Sequence, residues 1–116
     1  MTHAIEESRE RRGGRRVEVQ EPMTINDANN GSVVGQLVNL SHTGLMLVSA
    51  TCIEVGTVLQ LRVPLPGGTD DEEPILIGVE SLWCQDANDS GAYWTGFQII
   101  DISPQDQARL DQVTTD

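Results

Sequence analysis

From Val17 to Ile100 the apolar positions recur with the two-residue period of extended chain, interrupted at intervals of about a dozen residues by turn-forming clusters. Val17-Glu18-Val19-Gln20 alternates as a strand does. Residues 21–31, with Pro22, Asn26, Asp27 and Asn29-Asn30-Gly31, form a cluster of turn formers, and Asn30-Gly31 is a hairpin signal. The apolar pattern returns from Ser32 through Leu40, over Leu45 to Ser49, and over Val58 to Val63, with Val55-Gly56-Thr57 as a turn between the last two. Pro64-Leu65-Pro66-Gly67-Gly68 stops that run, and Thr69 to Pro74 reads as an acidic, solvated loop. Ile75 then begins a long strand toward Trp83-Cys84. Asp86 to Gly91 is a polar turn, and Ala92 to Ile100 is the last strand. There the period changes. Ser103-Pro104-Gln105-Asp106 places a capping hydroxyl, a proline at the first helical position and an acid at the third, predicting a helix of about ten residues. The expectation is an all-β domain of six strands, a small antiparallel barrel or sandwich, with one C-terminal helix from about residue 103.

Within this plan, Val38 to Val48 concentrates the candidate chemistry. Asn39 and Ser41 are two apart and share a face of an extended backbone, while Leu40 between them points toward a core. Gly44 allows either a positive φ or a close approach of backbone to something bound. Taken alone, the cluster reads first as a polar turn that satisfies its own backbone. Short polar groups at the end of a rigid strand make a defined hydrogen-bonding surface.

A chain of 116 residues suits one core. With only 3% aromatic residues, that core is built from Val, Leu and Ile. No apolar run reaches the roughly 18–20 residues that span a bilayer, and the first residues lack the apolar block of a signal peptide. The expected location is cytoplasmic. In that setting Cys52 and Cys84 are expected to be reduced, although their pairing stays open.

Charge changes the picture through its distribution. All seven basic residues are arginines, and five of them, Arg9, Arg11, Arg12, Arg15 and Arg16, precede the first strand. Those five against Glu6, Glu7 and Glu10 leave the first sixteen residues at +2. The remaining hundred carry two arginines and fifteen acids, for −13. Such a body is poorly suited to long nucleic acid, whose binding depends on many phosphate contacts. A small anion gripped by a local arginine cluster is compatible with it. The acids of the 69–74 loop lack the alternating ligands of an EF-hand, and no metal site is expected. His42 follows Ser41 directly, so the two face opposite ways and form no nucleophile–base pair. No enzyme is indicated. Trp83 and Trp94 read as core or barrel-edge residues rather than base-stacking platforms.

The arginines ahead of a first strand, Asn39-x-Ser41-x-x-Gly44, Trp94-x-Gly96-Phe97-x-Ile99 and Ser103-Pro104-x-Asp106 together resemble the PilZ domain family, over about Arg9 to Val113. That family's pattern is Arg-x-x-x-Arg followed at a distance by Asp/Asn-x-Ser-x-x-Gly. The first half fits Arg11 with Arg15 or Arg12 with Arg16. The second frame is preferred because Arg16 directly precedes the apolar start of the strand at Val17, and Arg11 then matches the additional arginine often found before the motif.

The resemblance implies a six-stranded antiparallel PilZ-like barrel over residues 11–116; residues 1–10 themselves read as a flexible leader or a frayed helical turn. The resemblance also implies a receptor for the bacterial second messenger cyclic di-GMP, with Arg11, Arg12, Arg16, Asn39, Ser41 and Gly44 at the ligand, no cofactor, and a protein effector downstream. Arginine suits such a ligand: its planar fork matches both phosphate oxygens and the O6/N7 edge of guanine, and it stacks on a base. The alternative is a PilZ-like adaptor that binds no nucleotide and acts through protein contacts.

Overall fold

The computed structural model describes residues 17–19, 22–66, 73–88 and 90–114. The leader, the arginine run and residues 67–72 of the acidic loop lie outside the described residues. The described chain forms seven strands, β1 (Val17–Glu18), β2 (Thr24–Asp27), β3 (Val33–Leu40), β4 (Gly44–Ser49), β5 (Val58–Val63), β6 (Ile75–Asp86) and β7 (Tyr93–Ile102), followed by helix α1 (Pro104–Thr114). All neighbours are antiparallel. The order β3-β2-β5-β6-β7-β4 returns to β3 through a β3–β4 pairing, which closes a six-stranded barrel. β1 is an additional strand on the free end of β3, where Val17 pairs with Leu40 and Glu18 with Asn39.

Most predicted strands fall where the alternation puts them, with two corrections. Residues 21–31 are not one turn: Thr24–Asp27 is a barrel strand, and only the four residues that follow it, with Gly31 at φ 77°, make the hairpin to β3. Ile25 is the single apolar residue of β2, fully buried, and its polar neighbours disguised the strand. β1 and β2 form one interrupted edge along β3, since Val19 N–H donates to the Val38 carbonyl (3.0 Å) and Leu37 N–H to that of Met23 (2.9 Å). The β6–β7 hairpin is also longer than expected, because β6 runs through Asp86 and β7 through Ile102.

The core is aliphatic, as the composition requires. Ile25, Leu37, Leu40, Leu45, Leu47, Leu61, Val63, Ile75, Ile77 and Val79 line the interior with Phe97 as their one aromatic partner. Leu37 and Leu40 are three residues apart yet both buried, which an unbroken two-residue period forbids. A bulge between Leu37 and Asn39 in the β3–β4 ladder supplies the phase change.

Helix α1 starts as its sequence dictates. Ser103 Oγ accepts from the Asp106 N–H (3.1 Å), and Asp106 Oδ2 accepts from the Leu76 N–H (3.0 Å), joining the first helical turn to the start of β6. Arg109 pairs with Asp106 and donates to the Glu73 carbonyl. Leu110 is the fully buried anchor of the helix.

The expectation of two reduced cysteines is corrected: Cys52, in the β4–β5 loop, is disulfide-bonded to Cys84 on β6, with Cα atoms 6.0 Å apart. The reduced expectation rested on compartment alone, and two cysteines 32 residues apart carry no local sign of proximity.

Ser103→Ala is expected to destabilise the domain by about 1 kcal/mol through loss of the helix cap. Urea unfolding followed by far-ultraviolet circular dichroism would measure it.

Candidate functional site

Asn39, Ser41 and Gly44 come together at the tight corner between β3 and β4, each with a different environment. Ser41 is 1% exposed. Its Oγ accepts from the N–H groups of Thr43 (3.3 Å) and Gly44 (3.2 Å), lies 3.3 Å from Thr43 Oγ1 and donates to the Gly44 carbonyl (3.3 Å). With the Ser41 N–H donating to the same carbonyl (2.8 Å), the hydroxyl holds the corner from inside. Gly44 serves neither expected purpose, because the backbone it approaches closely is that of the barrel itself. A Cβ there would run into the carbonyl oxygen of Phe97 on β7, and Gly44 is absent from the positive-φ residues.

The bulge that sends Leu37 and Leu40 inward turns Asn39 to the opposite face, where it is 7% exposed at the base of a cleft in the outer wall. There it begins a row across four strands: Asn39 pairs in register with Met46, Met46 with Gly96, and Gly96 with Trp83. At the usual strand spacing the row is about 14 Å long. These residues, with Leu82, line a cleft of ≈ 290 Å³. That is the lower end of the size range of small-molecule sites, enough for a planar group the size of a base.

Trp83 forms the far wall. It is 39% exposed and its indole lies over Gly96, where any Cβ would collide with the ring. Of the two expected places for this tryptophan, the core is excluded by its exposure. Its sign in the sequence was the consecutive pair Leu82-Trp83, both exposed, which breaks the alternation of β6. A second bulge, between Ser81 and Trp83 in the β6–β7 ladder, is its cause. Trp94 is half-buried and in register with Val48 and Gln85, outside this row.

The surface is thus graded: an amide at one end, a thioether and a glycine floor in the middle, an indole at the other. An indole face and an amide separated by a flat floor can hold a heteroaromatic ring by stacking and by edge hydrogen bonds. β1 lies beside the amide end, so the peptide joining Arg16 to Val17 enters the barrel there. Arg11, Arg12 and Arg16 themselves lie outside the described residues. Among the described residues no cluster of His, Cys, Asp or Glu could hold a metal ion, and no helix is long and apolar enough to cross a membrane.

Comparison with known proteins agrees with this architecture. The family model described as PilZ domain matches residues 10–116, and the chain belongs to that family. Among solved structures, the inhibitor of motility MotI (DgrA) of Bacillus subtilis superposes with a TM-score of 0.72 at 19% identity. The match covers 90% of this chain and 49% of MotI, so the chain spans about half the length of that relative. The PilZ domain of YcgR from Escherichia coli, solved with cyclic di-GMP, superposes with a TM-score of 0.62 at 13% identity, covering 90% of this chain and 88% of that one. No curated protein matches.

The two site glycines predict opposite outcomes. Gly44→Ala pushes a methyl against backbone that cannot yield and is expected to cost about 3 kcal/mol in a denaturant titration. Gly96→Ala meets first the exposed Trp83 side chain, which can swing away. Its stability is expected to stay within about 1 kcal/mol of the parent, because the lost backbone entropy of glycine offsets the displaced contact, while tryptophan fluorescence shifts.

Proposed function

We propose that this domain is a receptor for cyclic di-GMP that signals to a protein partner. The observation that carries the reading is the row Asn39–Met46–Gly96–Trp83 on the outer wall, with the arginine-bearing segment joined to the chain at its amide end. Family membership and the likeness to a PilZ domain solved with this dinucleotide support it.

In this reading Asn39 hydrogen-bonds a guanine edge, and Trp83 stacks on a base. Ser41 and Gly44 keep the β3–β4 corner in the one geometry that presents Asn39. Arg12 and Arg16, with Arg11, supply the charge and the planar donors that phosphates and guanine require. Their charge is needed because the body is acidic: Glu18 is paired next to Asn39, and residues 17–116 carry two arginines against fifteen acids. The bound ligand covers the wall, and the covered wall is what the partner reads.

A second reading, an adaptor that binds protein without nucleotide, is favoured by the exposure of Leu82 (47%) beside Trp83, since apolar surface of this kind also suits a protein contact.

Isothermal titration of the folded protein with cyclic di-GMP, with GMP and GTP as controls, separates the two. Saturation by the cyclic dinucleotide alone is expected, and absence of heat at several temperatures favours the adaptor. Arg12→Ala and Arg16→Ala are expected to abolish binding with little change in melting temperature. Trp83→Ala is expected to weaken it by about 1–3 kcal/mol, the worth of one stacked base.

A further inference from the structure

The β4–β5 loop, Ala50 to Thr57, is fastened to β6 at two points, and they bracket the bulge that presents Trp83. The first fastening precedes the bulge. Ser81, 1% exposed, donates its hydroxyl to the Glu54 carbonyl (2.6 Å) and accepts from the Thr57 N–H (3.0 Å). Its backbone carbonyl accepts from Gly56 N–H (2.9 Å), and its N–H donates to the Thr57 carbonyl (2.9 Å). The second follows the bulge: Cys84, the residue after Trp83, is bonded to Cys52. Leu82 and Trp83 are therefore held between a polar clamp and a covalent one.

The two faces of β6 are joined at this point. Cys84 is in register with Thr95, whose side chain is fully buried, while Trp83 lies over the outer wall at Gly96. Beyond the bulge the β6–β7 ladder resumes, with Trp83 opposite Gly96, Cys84 opposite Thr95 and Gln85 opposite Trp94, and the disulfide adds a tie from this resumed stretch to the β4–β5 loop. The residue left outside the ladder is Leu82, since Ser81 pairs with Phe97 and Trp83 with Gly96, and Trp83 is the first paired residue after it, so the ties on the two flanks bear on how the indole sits.

We infer that the Cys52–Cys84 disulfide is a redox-controlled positioning element for the Trp83 wall. The oxidised form holds the indole over Gly96 and has high affinity for the dinucleotide; the reduced form releases it and has low affinity. This rests on the receptor reading above. Cys52 is exposed and Cys84 half-buried, so the accessible sulfur is that of Cys52. A thiolate of a dithiol reductant attacks Cys52 Sγ, the S–S bond breaks, and Cys84 leaves as a thiolate that takes up a proton. The reductant's second thiol resolves the mixed disulfide and releases Cys52. Two electrons pass from dithiol to protein, and the reductant ends as a disulfide.

The test is titration of the full chain with cyclic di-GMP, oxidised and after dithiothreitol, with free thiols counted in each. Hydrogen exchange is read in parallel over Leu82–Gln85 and, as internal reference, over Val33–Leu37. Reduction is expected to weaken binding about tenfold, as when the competent fraction falls to roughly one tenth. It is also expected to speed exchange over Leu82–Gln85 but not over the reference strand. Cys52→Ser is expected to bind like the reduced protein and to ignore dithiothreitol. Equal affinity in both states overturns the inference. So does exchange accelerated alike everywhere, which makes the bond a general staple. If neither state binds, the receptor reading fails, and exchange alone decides: local acceleration upholds the positioning role, and unchanged exchange removes it.

Discussion

Strand β3 is hydrogen-bonded along both edges, to β2 and β1 on one side and to β4 on the other, and barrel closure depends on it. To line the interior along its whole length it must place Leu37 and Leu40 inward, three residues apart, which a two-residue pleat cannot do without an additional residue. The bulge between Leu37 and Asn39 provides that residue. Its consequence is Asn39, an amide carried out to the wall at the one end of β3 where β1 arrives. The demand of the core and the position of the candidate site are thus one constraint.

A second bulge acts likewise on the opposite side of the row. In β6 it brings Leu82 and Trp83 out together, and the glycine at 96 lets the indole lie flat. The floor between the bulges belongs to β4 and β7, paired without interruption from Gly44–Gln98 to Ser49–Tyr93. Gly44 is indispensable to that pairing because backbone stands where its Cβ would be. The middle of the wall is thus fixed by uninterrupted pairing, and its Trp83 end follows a bulge whose flanks, Ser81 and Cys84, are tied to the β4–β5 loop.

Electrostatics divides the labour differently. The barrel contributes shape, an amide and an aromatic face, with almost no positive charge; the arginines are all but confined to the segment before β1. A doubly charged ligand on this wall would be held by covalently adjacent chain rather than by the barrel.

Local pattern determined much of this protein. Two-residue alternation placed β3, β4 and β5 almost to the residue, Asn30-Gly31 marked its hairpin, and Ser103-Pro104-x-Asp106 marked the helix start, because each rests on neighbours in the chain. The same holds for Ser41, whose hydrogen bonds close its own turn, whereas the glycine at 44 is required by the Phe97 carbonyl of β7. β2 escaped because one inward residue, Ile25, carries no detectable period. The bulges, the row that unites Asn39 with Trp83 and the Cys52–Cys84 bond were decided by tertiary structure. Each depends on which strands become neighbours when the sheet closes, and that register is set by the whole core rather than by adjacent residues.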